Sequence, residues 1–207
     1  MLQDTRFARQ VKRSYDAFKV GRWRKGGSVD PPPHAYKRAL VRRLSRRLGY
    51  RVFVETGTFY GDMLADVSSA FSQIISIELD PNLCRLARCR FADQAHIQVV
   101  AGDSGVLLKE VLTLITEPCI FWLDAHFSGA KTAMGPTETP ILAEVEAILS
   151  HRIRDHVILI DDARCFDGTH DYPSVSSLCS RVAETSGRYE IAVHNDVIRV
   201  WPRHLRI

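Results

Sequence analysis

The run Val52-Phe53-Val54-Glu55 leads into Thr56-Gly57-Thr58-Phe59-Tyr60-Gly61, and a second run, Ile74-Ile75-Ser76-Ile77, ends on Glu78. Short, nearly unbroken apolar runs suit strands covered on both faces in a parallel sheet. Each of these finishes on a carboxylate. An acid closing a buried strand costs desolvation unless something polar meets it, so the two tips mark a working edge of the sheet. A glycine-bearing turn beside them lets backbone approach closely, and the pair makes a cradle for a nucleoside-bearing cofactor.

Downstream of Arg51 the pattern alternates strand with helix. Strands are expected at 51–55, 73–78, 97–100, 119–124 and 156–161, with helical periodicity around 62–71, 81–92, 105–115 and 138–150. That order describes a doubly wound, mostly parallel, Rossmann-like α/β sheet. A helix near 173–186 follows, and then 189–193 and 197–201 flank the turn residues His194-Asn195-Asp196, which suit an antiparallel hairpin. No internal repeat or low-complexity tract interrupts the chain.

With 207 residues the chain has room for one well-buried domain plus an appendage. No apolar run reaches eighteen residues and the N-terminus is charged from Asp4 and Arg6, so neither a membrane span nor a secretory leader is expected, and a cytoplasmic location is. The five cysteines, Cys84, Cys89, Cys119, Cys165 and Cys179, are scattered without a CxxC pair, which disfavours a disulfide framework and a zinc site.

Charge is segregated. Residues 1–50 hold 14 of the 28 Lys and Arg but only Asp4, Asp16 and Asp30 among the acids, leaving 14 basic against 21 acidic residues in the remainder. Phe7, Val11, Tyr15 and Phe18 recur at helical spacing among Arg9, Lys12, Arg13 and Lys19, which predicts a basic amphipathic helix. Its apolar stripe could dock on the body, a second subunit to form a homodimer, an anionic surface or an acidic substrate. Gly26-Gly27-Ser28 and Asp30-Pro31-Pro32-Pro33 form a stiff break, so residues 1–33 read as an arm and linker and 34–207 as the cofactor-binding domain. A second basic helix carries Tyr36, Leu40, Leu44 and Leu48 on one stripe, with Gly49 as its stop.

Taken in order, Glu55-x-Gly57-x-Phe59-x-Gly61, Ile77-Glu78-Leu79-Asp80-Pro81, Val99-Val100-Ala101-Gly102-Asp103-Ser104, Leu123-Asp124 and Ile160-Asp161-Asp162 resemble the motifs of class I S-adenosylmethionine-dependent methyltransferases over residues 50–201. The aromatic Phe59 and the paired acids after the fifth strand are similar, more narrowly, to metal-dependent O-methyltransferases of the catechol and macrocin types. The resemblance implies S-adenosylmethionine as cofactor. Gly57, Thr58, Phe59 and Gly61 would form the turn over its methionine part, and Glu55 would hold its ammonium directly or through water. Glu78 would accept both ribose hydroxyls, and Asp103 with Ser104 would sit near adenine. As residues in their own right, Asp80 before Pro81 and Asp103 before a helix are ordinary N-cap candidates, and for Asp80 the cap is the preferred reading.

The same resemblance implies a cluster of Asp124, Asp161 and Asp162 over the transferred methyl group. Neighbouring parallel strands lie about 4.8 Å apart, so these carboxylates would converge, and a hard cation such as Mg²⁺ would relieve their repulsion. Such an ion would coordinate an acceptor hydroxyl and favour vicinal oxygens. The alternative is that Asp124 lines the pocket while Asp161 and Asp162 cap the loop ahead. His126 is a candidate general base or extra ligand. The catechol enzymes carry a lysine three positions after their first metal-binding acid, where this chain has Phe127, so His126, Lys131, Arg164 or the metal alone could serve as base. His170 reads as a loop residue. The segment 127–137 could close over the substrate, and Arg164, Phe166 and Tyr172 could wall it.

The expected function is therefore a magnesium-assisted O-methyltransferase acting on a small-molecule or sugar hydroxyl. A nicotinamide oxidoreductase would need a GxGxxG turn, which is lacking. The basic arm keeps nucleic-acid methylation open, although no Asn-Pro-Pro-Tyr-type tetrad follows the fourth strand. A non-catalytic cofactor-binding or interaction module is the remaining alternative.

Overall fold

The computed structural model of the chain describes residues 6–27, 31–125, 139–185 and 187–207. Two helices come first, α1 (Arg6–Lys25) and α2 (His34–Leu48). Then follow β1 (Val52–Thr56), α3 (Asp62–Val67), β2 (Gln73–Glu78), α4 (Pro81–Arg90), β3 (Ile97–Ala101), α5 (Ser104–Thr113) and β4 (Cys119–Leu123). The chain closes with α6 (Ile141–Ser150), β5 (Val157–Ile160), α7 (Val175–Ala183), β6 (Tyr189–His194) and β7 (Val197–Pro202).

The strands form one seven-stranded sheet in the order β3-β2-β1-β4-β5-β7-β6. β1 to β5 are parallel, and β7 runs antiparallel to both β5 and β6. Strand order reverses direction between β1 and β4, so the C-terminal tips of β1, β2, β4 and β5 open a crevice at the switch point of the sheet. The doubly wound sheet and its terminal hairpin are as the sequence predicts. Asn195 and Asp196 both take positive φ, 54° and 59°, the two-residue turn that matches strand twist in a hairpin.

Every residue of β1, β4 and β5 is buried, because helices cover both faces. One core layer gathers Val54, Ile75, Phe121, Ile148 and Ile158; the other gathers Phe53, Leu64, Trp122 and Leu159 with Leu40, Val41 and Leu44 of α2. At its end Gly49 takes a left-handed φ of 72° and its N–H returns to Ser45, the stop its position predicts. α1 rests on α2 through Trp23 against Tyr36, ring centroids 5.0 Å apart, and through Asp16 paired with Arg38. Three residues of the apolar stripe stay open to solvent: Val11, Tyr15 and Phe18 remain 52%, 56% and 64% exposed. No helix among the described residues is long and apolar enough to cross a membrane.

Candidate cofactor and transfer site

The register sets the tips level. Thr56 of β1 stands opposite Ile77 of β2 and Leu123 of β4, and Glu55 stands opposite Ser76. Across that pair Ser76 Oγ donates to Glu55 Oε2 at 2.7 Å, and Thr58 Oγ1 lies 2.6 Å from Ser76 Oγ. A hydroxyl carries one proton, so with Ser76 committed to Glu55 it is Thr58 that donates to Ser76. Glu55 is fully buried. Burial pushes its pKa well above the ordinary carboxylate range, Ser76 pulls it back, and the charges of Asp124 and Glu78 add to the rise.

Glu78 is fixed by two backbone donors. Phe59 N–H reaches Oε2 at 2.7 Å and Asp80 N–H reaches Oε1 at 2.9 Å. Each carboxylate oxygen keeps a further lone pair, so the group is aimed and still able to accept. Phe59 takes a positive φ of 50° to deliver that N–H, and its ring, 38% exposed, packs on Tyr60. Gly57 admits the turn at φ 83°: a Cβ there would lie 2.5 Å from the backbone oxygen of Asp124. Gly57 N–H donates to Ile77 O and Asp124 N–H to Thr56 O, so the turn is stitched between both neighbouring strands. Gly61 opens α3. Asp103 caps α5, its Oδ1 accepting from Gly105 N–H at 2.8 Å, and Ser104 is buried in the first turn. Asp80 caps α4 through Asn82 and Leu83, as expected.

Asp124, Asp161, Thr139, Glu144, Phe166 and Tyr172 line one cleft beyond the tips of β4 and β5. Asp161 follows β5 and its N–H donates to Leu123 O, which ties the two tips together. Asp162 takes a left-handed φ of 54°, and its N–H donates to Asp161 Oδ1 at 2.7 Å. The hairpin turn holds this corner from below: Asp196 accepts from Arg164 N–H at 2.9 Å, and its carbonyl accepts from Ala163 N–H. Arg164 bonds Asp162 Oδ1 at 2.9 Å and also Asp196, so it is a charge partner for these acids, with its side chain about half exposed. His126, Lys131 and the 127–137 loop lie outside the described residues.

The acids do not fit a magnesium centre. Among the described residues no three His, Cys, Asp or Glu side chains form a group able to hold a metal ion. Two of the acids are met instead by Lys37 of α2: its Nζ lies 2.5 Å from Asp161 Oδ1 and 3.2 Å from Asp162 Oδ1, with both carboxylates nearly buried. The Oδ1 atoms of both acids are already bonded to an ammonium, and a Mg²⁺ ion on those atoms would need near-octahedral room at about 2.1 Å. Burial would lower the Lys37 pKa, but the carboxylates of Asp161, Asp162 and Asp124 together outweigh it and the net direction is up. Asp161 is pushed up to about 8 by burial and by Asp124, against the pull of Lys37.

No protein-family profile matches the chain. Solved structures do. An O-methyltransferase from Streptomyces achromogenes involved in tomaymycin synthesis, solved with S-adenosylmethionine, superposes with a TM-score of 0.59 at 17% identity over 90% of this chain and 88% of its own. An O-methyltransferase from Bacillus cereus bound to S-adenosylhomocysteine gives 0.62 at 16% identity over 92% and 91%. The fold is that of the class I S-adenosylmethionine-dependent methyltransferases. A methyltransferase from Podospora anserina bound to S-adenosylhomocysteine aligns over 98% of both chains, with a TM-score of 0.58 and 14% identity. In sequence, 76 residues are 33% identical to a ribosomal RNA small subunit methyltransferase A from Synechococcus sp. (strain JA-2-3B'a(2-13)). That match spans 36% of this chain and about a quarter, 27%, of the relative.

Within this methyltransferase fold two site residues escaped sequence reading. Lys37 sits in a helix dense with Arg and looks like one more solvated cation, yet it precedes Leu40, Val41 and Leu44 by three, four and seven positions, the spacing of the buried face. Glu144 likewise follows Ile141 by three and precedes Ile148 by four. It is 1% exposed, and burial pushes its pKa to about 7 against the pull of the Ser104 and Thr56 hydroxyls beside it. His34, one turn before Lys37, feels the charges of Lys37, Asp124 and Asp162, and burial takes its pKa below the ordinary value.

Proposed function

We propose that the chain is an S-adenosylmethionine-dependent O-methyltransferase acting on a hydroxyl of a small molecule or sugar. The observation that carries this reading is Glu78, buried at the tip of β2 yet held by Phe59 N–H and Asp80 N–H with lone pairs to spare beside the Gly57 turn. Such a group suits the two ribose hydroxyls, which need an aimed acceptor with no proton of its own.

In this reading Asp103 and Ser104 flank adenine, and Gly57, Thr58 and Gly61 shape the turn along the methionine part. The buried Glu55–Ser76–Thr58 chain supports the cofactor's ammonium. Bound S-adenosylmethionine supplies an electrophilic methyl on a sulfonium. An acceptor oxygen held beside Asp124 would lie in line with that carbon, and the cofactor's sulfur would keep both electrons of the carbon–sulfur bond as the methyl is transferred. The acceptor proton passes to a neutral base, either His34, which feels the charges of Asp124 and Asp162, or His126 as the sequence resemblance suggests, while Asp124 orients the acceptor. No step is routed through a metal ion.

Calorimetric titration of S-adenosylmethionine against the wild type and Glu78→Ala, followed by a screen of hydroxylated acceptors, tests the reading. Equal cofactor affinity in the variant defeats it. The short likeness to a ribosomal RNA methyltransferase and the basic residues of the first 50 favour a second acceptor class, and RNA belongs in the same screen.

A further inference from the structure

We infer that Lys37 supplies from within the chain the positive charge that a divalent cation would otherwise bring to Asp161 and Asp162, and that the acceptor therefore needs no vicinal oxygens. The inference rests on the methyltransferase reading for the word acceptor, but its charge chemistry stands apart from turnover.

The placement of Lys37 begins with its helix. Leu40, Val41 and Leu44 are buried in the core layer with Phe53, Trp122 and Leu159, so α2 cannot roll without opening that layer. Further along, Ser45 Oγ reaches Tyr50 O and Ala70 O, and Arg38 is paired with both Asp16 and Asp66. The other end is tied to the hairpin turn, where Asn195 donates to Tyr36 Oη at 2.5 Å. With the backbone pinned on both sides, the Lys37 side chain is delivered to the tip of β5 and is itself 5% exposed.

At the tip the ammonium sits where the two carboxylates share a face. Asp161 Oδ1 receives Lys37 Nζ and the Asp162 N–H; Asp162 Oδ1 receives Lys37 Nζ and Arg164. A dication bound to those same Oδ1 atoms would lie against the ammonium, and like charges at such range in a poorly solvated pocket repel strongly. Lysine and metal are thus alternatives. The choice has a chemical consequence. A chelated cation holds two substrate oxygens at once and selects vicinal diols, whereas an ammonium offers single hydrogen bonds and makes no such demand.

Mn²⁺ serves as the probe, because its free and bound forms are told apart by electron paramagnetic resonance without any turnover. Wild type, Lys37→Met, Lys37→Gln and the double variant Lys37→Met/Asp161→Asn are titrated with MnCl₂, with S-adenosylhomocysteine affinity followed in parallel. The wild type is expected to show no saturable Mn²⁺ site. Both single variants are expected to gain one, at least about tenfold tighter than any wild-type binding, and the double variant to lose it. A saturable wild-type site as tight as that of the single variants overturns the inference, as does the absence of a gained site in whichever single variant retains its fold. Should S-adenosylhomocysteine bind none of the proteins, the methyltransferase reading fails while the Mn²⁺ result still decides the role of Lys37. A wild-type enzyme whose turnover survives a chelator and accepts a mono-hydroxyl substrate agrees with the inference; strict preference for vicinal diols contradicts it.

Discussion

Glu144 and Asp161 are buried acids facing one cleft, and burial acts on both with the same sign. A carboxyl whose folded pKa is raised binds more protons in the folded than in the unfolded state between its two pKa values. Its contribution is then fully present below the unfolded value and is lost as pH rises through the folded one. For Glu144 that window runs from the ordinary 4.5 to about 7. Glu144→Gln keeps the shape and removes the titration, so its stability relative to wild type should improve by roughly 3 kcal/mol between pH 4.5 and pH 8. Urea melts across that range measure it, and a pH-independent difference would refute the assignment. His156 works in the opposite direction, its pKa lowered to about 3 by burial, so it costs stability as pH falls below 6.5 and does so equally in both proteins. Lys37→Met removes one partner of a buried ion pair and should destabilise by about 3 kcal/mol near pH 8. The loss should shrink at pH 5, where Asp161 takes up a proton instead. Equal losses at the two pH values would mean that Lys37 stabilises by packing alone.

At the scale of elements, strands and helices were legible because each obeys a local rule: continuous apolar runs for the parallel strands, Asp80 and Asp103 ahead of their helices, Gly49 behind α2. Boundaries differ by one to four residues where a side chain, not periodicity, decides the end. The helix expected at 62–71, for example, gives way at Ser68 to a 3-10 turn whose Ser68 Oγ donates to Gln94. What the linear pattern concealed was the contact between α2 and the far tip of β5, residues 37 and 161, because a helix rich in arginine reads as solvated on every polar position. The expectation of magnesium rests on Asp124, Asp161 and Asp162 and takes no account of Lys37, which pairs with the last two. The stripe of α1 was open between docking on the body and other partners, and its exposure removes the first choice for Val11, Tyr15 and Phe18. Capping is measurable at this scale. Asp80→Ala leaves Asn82 and Leu83 N–H without their acceptor at the start of α4 and should cost about 1 kcal/mol, read as a shift in denaturant midpoint. Since Asp80 N–H also orients Glu78, cofactor affinity should hardly change, for that bond uses the backbone.

The whole molecule couples these pieces through the sheet. Glu78 is anchored to the turn after β1, that turn abuts the backbone of Asp124, and Asp124 and Asp161 are hydrogen-bonded to the adjoining tips, so the proposed cofactor bridges strands that separate on unfolding. A ligand that binds only the folded state stabilises it by RT ln(1 + [L]/Kd), about 2.7 kcal/mol at a hundredfold excess over Kd. For a chain of this size each kcal/mol moves the midpoint by about 3 °C, so saturating S-adenosylhomocysteine should raise Tm by about 8 °C. Glu78→Ala should abolish the rise while leaving the ligand-free midpoint within a few degrees, because the acid meets only backbone N–H groups that water can reach once the side chain is gone. Gly57→Ala is the contrasting case: its new Cβ strikes the Asp124 carbonyl, so the ligand-free midpoint itself should fall, together with the ligand-dependent rise. Differential scanning fluorimetry on the three proteins separates the outcomes. A full rise in Glu78→Ala would place the nucleoside away from the tip of β2 and undo the binding geometry on which the proposed transfer depends.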